Sequence, residues 1–137
     1  MPKVDLVVVF SAAIAGLCLG IFWYSRVLFG RWLAGSISFG GASAGKNKKY
    51  KIVFFQTIAE LAAAYVLAAL IALTGSYSLA SLSELILWLW LGLAAAILLE
   101  TTLREERSWP ACFIHIGFYL ADWSLMGLII INLAGLK

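Results

Sequence analysis

Glu60 and Asp122 are carboxylates set inside long apolar stretches of a 137-residue chain. An acid near the middle of a bilayer costs several kcal/mol unless it is neutral, paired or facing water, so each is a candidate functional group. His115, Tyr119 and Asp122 follow one another at i, i+4 and i+7. At 3.6 residues per turn that spacing places all three on one helical stripe. Gln56 and Glu60 are i, i+4 partners on another apolar stretch. Ala64 and Ala68 continue their row with Ala63 beside it, so that face stays small. A close approach of the two faces gathers Gln56, Glu60, His115, Tyr119 and Asp122 into one polar seam. Carboxylates and an imidazole exchange protons, so the seam suits a proton or ion path, or a polar substrate pocket. The plainer role is interhelical hydrogen bonding that fixes register, worth about 0.6–2 kcal/mol per contact. Two acids at mid-membrane depth exceed what register alone requires.

Other chemistries have less to stand on. One histidine with scattered carboxylates lacks the ligand count of a zinc site, and haem needs an axial histidine in a recognisable setting. No substrate cleft for a carboxylate-pair hydrolase is legible, and motifs around a serine or cysteine nucleophile are absent. No metal and no cofactor is therefore expected. Cys18 and Cys112 lie in apolar stretches with no CxxC pattern and read as small packing residues.

The elements that must position the acids follow from composition. Apolar residues make up 64% of the chain and charged ones 12%, whereas soluble domains carry about 45–50% and about 25%. A soluble chain this small could not hide so much apolar surface, so lipid is the solvent for most of it. Four segments approach the ~20 residues that cross a hydrocarbon core. They run from about Val4 to Tyr24, Ile52 to Thr74, Leu82 to Thr101 and Ala111 to Leu136. Pro110 stands just ahead of the fourth, where a missing backbone donor is tolerated. The first segment is too long for a signal core, and Trp23-Tyr24 follows it in place of a small-residue cleavage site. That aromatic pair reads as an interface anchor.

The segment 25–51 divides in two. Leu28, Phe29, Trp32 and Leu33 share one helical face, which suits a short helix lying in the headgroup region. A stretch of mostly Gly, Ser and Ala follows, then Lys46, Lys48, Lys49 and Lys51 lead into the second span. This basic run matches a cytoplasmic topology signal that touches anionic lipid headgroups, and no folded basic face for nucleic acid is visible. The first and third loops also hold Arg26, Arg31, Arg104 and Arg107, while the opposite side holds only Lys3 and Lys137. Both termini are therefore expected outside, with the plasma (inner) membrane the expected location. Trp88 and Trp90 point to different faces of the third span, Trp109 sits at the cytoplasmic boundary of the membrane, and Arg104 to Arg107 form an internally neutralised turn.

Ala12, Gly16 and Gly20 repeat at four-residue spacing on the first span, as do Gly92 and Ala96 on the third. Small residues let helix backbones approach closely where lipid supplies no hydrophobic drive for association. Together these features predict an all-α polytopic membrane protein, one domain over residues 1–137. Four transmembrane helices form an antiparallel bundle with a short interfacial helix in the first loop.

Trp23-Tyr24 followed by Leu28-Phe29-Gly30 and Trp32 resembles the aromatic start of the small membrane family called domain of unknown function 1761. So do Trp90-Leu91-Gly92-Leu93, Glu106-Arg107-Ser108-Trp109, Ile116-Gly117-Phe118-Tyr119 and Met126-Gly127, in order along nearly the whole chain. The resemblance implies a compact four-helix integral membrane protein and implies no activity. His115 departs from it, standing where a smaller polar residue such as Asn is expected.

The leading functional expectation is a small-molecule or ion transport protein using the seam between the second and fourth spans. The alternative is a non-catalytic accessory or scaffold subunit whose seam only locks helices; a membrane-embedded enzyme comes third. Four helices leave little room to enclose a pathway, so a homo-oligomer or a subunit of a larger complex is expected. Transport requires space beside Glu60 and Asp122, whereas a scaffold requires dry, mutually satisfied polar groups.

The charge count yields a topology test. In a chain carrying Cys18→Ala and Cys112→Ala, Lys48→Cys should resist an impermeant thiol reagent in intact cells and react after the membrane is opened, while cysteines at either terminus label at once. Labelling of Lys48→Cys from outside, with protected termini, overturns the assignment.

Overall fold

Each of the four apolar stretches folds as a helix, because in hydrocarbon a span must satisfy its backbone groups internally. The computed structural model describes residues 2–25, 27–34 and 46–135, without the side chains of 33, 34, 46, 48 and 49. Arg26, the Gly-, Ser- and Ala-rich stretch 35–45 and Lys137 thus lie outside the described residues, as do the side chains of Lys46, Lys48 and Lys49. The order is α1 (Leu6–Trp23), α2 (Gly30–Ala34), α3 (Lys46–Thr74), α4 (Leu79–Leu89), a π-helical segment Trp90–Ala95, α5 (Ala96–Arg104) and α6 (Trp109–Gly135). α4, the π segment and α5 form one continuous rod. Four helices are long and apolar enough to cross a membrane: Leu6–Trp23, Tyr50–Thr74, Leu79–Arg104 and Trp109–Gly135. Among the described residues the chain is all-helical, and it is a multi-pass membrane protein.

Local chemistry sets the helix ends. Asp5 caps α1 by accepting from the Val7 amide at 2.9 Å, and Ser78 caps α4 by accepting from the Ser81 amide at 3.2 Å. α3 stops where Gly75 takes φ +68° and the Ser76 amide reaches back to the Ile71 carbonyl at 3.1 Å. α5 stops the same way without glycine. Glu106 holds φ 50° while the Arg107 amide bonds the Thr102 carbonyl at 3.1 Å, a left-handed conformation that costs an L-residue about 1–2 kcal/mol. In that turn Glu100 pairs with Arg104 and Glu105 with Arg107, exposed ion pairs that add little stability.

The basic run lies differently from its sequence reading. Lys46 to Lys51 form the opening turns of α3 instead of preceding it. Lysine is a good helix former, so elongation from the span continues through it. Pro110 likewise falls inside the first turn of α6, where its missing donor was unsatisfied anyway. The short helix after α1 covers only Gly30–Ala34, since Phe29 turns back onto Trp23 with ring centroids 4.9 Å apart.

α6 is the hub, touching α1, α2, α3, α4, the π segment and α5. α1 packs most extensively against α6 and then α3, while α3 and α6 meet far less. One apolar cluster joins Val8, Ala12 and Ala13 of α1, Ala64, Leu67 and Ile71 of α3, Leu82 and Ile86 of α4, and Met126 and Ile130 of α6. A smaller one joins Ala95 to Cys112 and Ile116. Gly92 and Ala96, expected as a packing stripe, face outward within this chain. A Cβ at Gly92 would meet nothing within 4 Å, and Ala94 and Ala95 are buried instead. A π turn holds an extra residue and so shifts the helical phase through this stretch. Trp90 anchors the shift, its indole N–H donating to the Ile116 carbonyl at 2.8 Å.

Two glycines give a matched stability test. A Cβ on Gly30 would stand 2.7 Å from the Tyr24 carbonyl oxygen and 2.8 Å from that of Ser25. Backbone cannot yield as a side chain does, so Gly30→Ala should cost about 1–3 kcal/mol. Gly92→Ala should be neutral or stabilising by up to about 1 kcal/mol. Thermal unfolding of both purified variants in detergent checks the pair, and equal midpoints would refute the turn geometry.

Candidate functional site

The small face of α1 builds the site. Ala12, Gly16 and Gly20 are buried at one-turn intervals, and with no side chain at Gly16 both neighbouring helices can send a carboxylate toward it. A Cβ at Gly16 would lie 2.7 Å from Asp122 Oδ1 and 3.0 Å from Glu60 Oε2. The two acids, from α6 and α3, therefore face the same small space across α1. Asp122 stands at the centre of α6 and is 1% exposed; Glu60 is 9% exposed.

One turn along, Gly20 faces the Phe118 ring and the Gln56 amide, 3.5 and 3.7 Å from where its Cβ would stand. Next on the same stripe comes Tyr24, whose Oη lies 2.6 Å from His115 Nδ1. The tautomer of the imidazole decides which of the two groups donates. Trp23 beside it donates its indole N–H to the Ile114 carbonyl at 3.3 Å. Trp23 and Tyr24, read from the sequence as an interface anchor, thus pack onto α6. Tyr24 belongs to the site, and its place four residues beyond Gly20 is the signal that could have found it.

All five residues of the expected seam, Gln56, Glu60, His115, Tyr119 and Asp122, line one open cleft of about 560 Å³. Glu60 and Asp122 are buried at its inner end, His115 is half-buried, and Gln56 and Tyr119 stand exposed along it. The seam is not formed by the second and fourth spans alone. α1 enters as a third wall because its glycines let its backbone approach where larger side chains would hold it off α3 and α6. Beyond the acids, Ala12, Ala64 and Met126 are each 0% exposed, so apolar packing closes that end.

Hydrogen bonding within the cleft is incomplete. Asp122 Oδ1 is buried with no hydrogen-bond partner among the described residues. The stripe of His115, Tyr119 and Asp122 does not bond along itself, since His115 turns to Tyr24. Aromatic rings line the wall in sequence: Tyr24 to Phe118 at 5.1 Å between centroids, Phe118 to Tyr119 at 5.6 Å and Tyr119 to Trp123 at 6.0 Å. Among the described residues no group of three or more His, Cys, Asp or Glu is gathered as a metal would need. Cys18 is exposed and Cys112 buried, both as free thiols.

A family model described as "Protein of unknown function (DUF1761)" matches residues 7–131. No curated protein and no solved structure matches the chain.

Gly16 separates the role of the cleft from that of the helix contact. In Gly16→Ala the new methyl meets the tips of two side chains, which can move, so the variant should fold with a loss of about 1–3 kcal/mol. Gly16→Leu needs room that only a parting of α1 from α6 provides, and folded yield should collapse. Size-exclusion profiles and thermal unfolding in detergent read both. Unchanged yield and stability in Gly16→Leu would disprove the close contact.

Proposed function

The chain belongs to this family of membrane proteins, and from its three-walled polar cleft we propose that it transports a small solute or ion. One observation carries the reading: Asp122 Oδ1 is buried and without a hydrogen-bond partner among the described residues, in a cleft it shares with Glu60. An unmet buried acceptor costs about 1–3 kcal/mol, and more when charged. A seam that only locked helices together would satisfy its own groups. An acid held unsatisfied beside open space suits a group whose partner arrives and leaves.

In this reading Glu60 and Asp122 hold the substrate or its coupled proton, and Gly16 keeps them within reach of each other. The positive-inside pattern directs the cleft toward the cytoplasm, with both termini outside and Lys46, Lys48, Lys49 and Lys51 against anionic headgroups. The other end is closed by Ala12, Ala64 and Met126, small or flexible side chains that can repack without large barriers. One chain supplies only a half-open cleft, so the working unit is a homo-oligomer or includes a further subunit.

Current recordings from proteoliposomes on a solid support, challenged with protons, alkali cations, amines and carboxylates, test the proposal. Wild type should pass current with at least one class. Glu60→Gln and Asp122→Asn should fold normally and lose about tenfold or more of that current. Silence across the panel in wild type, or full current in both amide variants, would favour the accessory or scaffold role.

A further inference from the structure

The proposed transport role leaves the substrate class open, and the walls of the cleft narrow it. Charge comes first. Two carboxylates line the cleft and, among the described residues, no lysine or arginine does. Arg104 and Arg107 lie at the end of α5 and in the turn after it, paired with Glu100 and Glu105 and outside the cleft lining. An anion entering here would meet like charge, which is costly where water is scarce.

The rings come second. Tyr24, Phe118, Tyr119 and Trp123 stand in a row with centroids 5.1 to 6.0 Å apart, and all four line the cleft with the acids. Aromatic faces attract cations, most strongly when the cation is desolvated and carries its charge on a carbon-clad nitrogen. Size comes third. A cleft of about 560 Å³ falls within the ~300–1,000 Å³ typical of organic ligands. A bare metal cation would need several oxygen ligands closing around it, and the described residues gather no such set. Asp122 Oδ1, buried and without a partner among the described residues, on a side chain that is 1% exposed, supplies the acceptor that an ammonium N–H or a nearby positive charge would meet. The open side, where Gln56 and Tyr119 are exposed, admits the apolar body of such a molecule.

We infer that this cleft binds an organic ammonium or similarly carbon-clad cation, its charge between Glu60 and Asp122 and its apolar body on the row of aromatic rings. This rests on the transport reading for its purpose, though binding can be measured without transport.

Two ions of one shape and opposite charge make the test. Equilibrium dialysis of the full chain in nonionic detergent is run with radiolabelled tetraphenylphosphonium and with tetraphenylborate. The cation should bind saturably and the anion should show only linear partition into detergent. Glu60→Gln and Asp122→Asn should each weaken the cation by about tenfold or more, and Tyr119→Leu severalfold, while Tyr119→Phe retains binding. If Asp122→Asn fails to fold, Glu60→Gln and the Tyr119 pair decide the matter. Saturable binding of the borate, or cation affinity indifferent to Glu60→Gln and to Tyr119→Leu, overturns the inference. Carboxylate-dependent cation binding with no flux in proteoliposomes would remove the transport reading and keep the ligand class. Glu60- and Asp122-dependent flux of an anion or neutral solute, with no cation binding, would do the reverse.

Discussion

A carboxylate at the centre of a membrane span must be hidden from hydrocarbon, and much of this fold depends on how Asp122 meets that demand. It sits on α6, the helix that touches every other element. Its side chain points to a neighbour that offers space without a side chain, Gly16 of α1. Glu60 uses the same space from α3. The glycine therefore does two things with one missing side chain: it brings α1 against both α3 and α6, and it lets two acids lie in the contact. Lipid gives helices no hydrophobic reason to associate, so van der Waals contact between close backbones supplies much of the cohesion.

The helices then divide lengthwise into a closed part and an open part. On one side of the acids, Val8, Ala12, Ala64, Leu67, Met126 and Ile130 interlock in a buried apolar cluster. On the other, the helices bearing Gln56 and Tyr119 stand apart and leave the cleft. The aromatic residues keep that open part in shape. Tyr24 holds His115, Trp23 is bonded to the Ile114 carbonyl, and Trp90 bonds the Ile116 carbonyl from the other side of α6. The amino-terminal half of α6 is thus gripped by side-chain hydrogen bonds, while its carboxyl-terminal half is gripped by packing. A transport cycle of the kind proposed would work across this division, with the acids at its boundary.

The rod containing the π segment turns its small-residue stripe away from the bundle. Gly92 and Ala96 have the spacing of a packing stripe and share one face, yet within this chain that face points outward while Ala94 and Ala95 are buried. Spacing states which residues share a face, and not which neighbour that face meets.

Composition and periodicity by themselves determined that the chain is all-helical with four helices long and apolar enough to span a membrane, and which polar residues share a helical face. These are consequences of the solvent: lipid excludes irregular backbone and penalises exposed acids, so hydropathy and helical phase carry the answer. Gln56, Glu60, His115, Tyr119 and Asp122 were legible for that reason. Only the tertiary structure decided that α1 forms the third wall, that Gly16 faces both acids, that Tyr24 holds His115, and that Asp122 keeps an oxygen without a partner among the described residues. A stripe of small residues states that some helix comes close without stating which one. Side-chain partners across 91 residues of sequence, as for Tyr24 and His115, depend on how helices pack, and no local pattern encodes that choice.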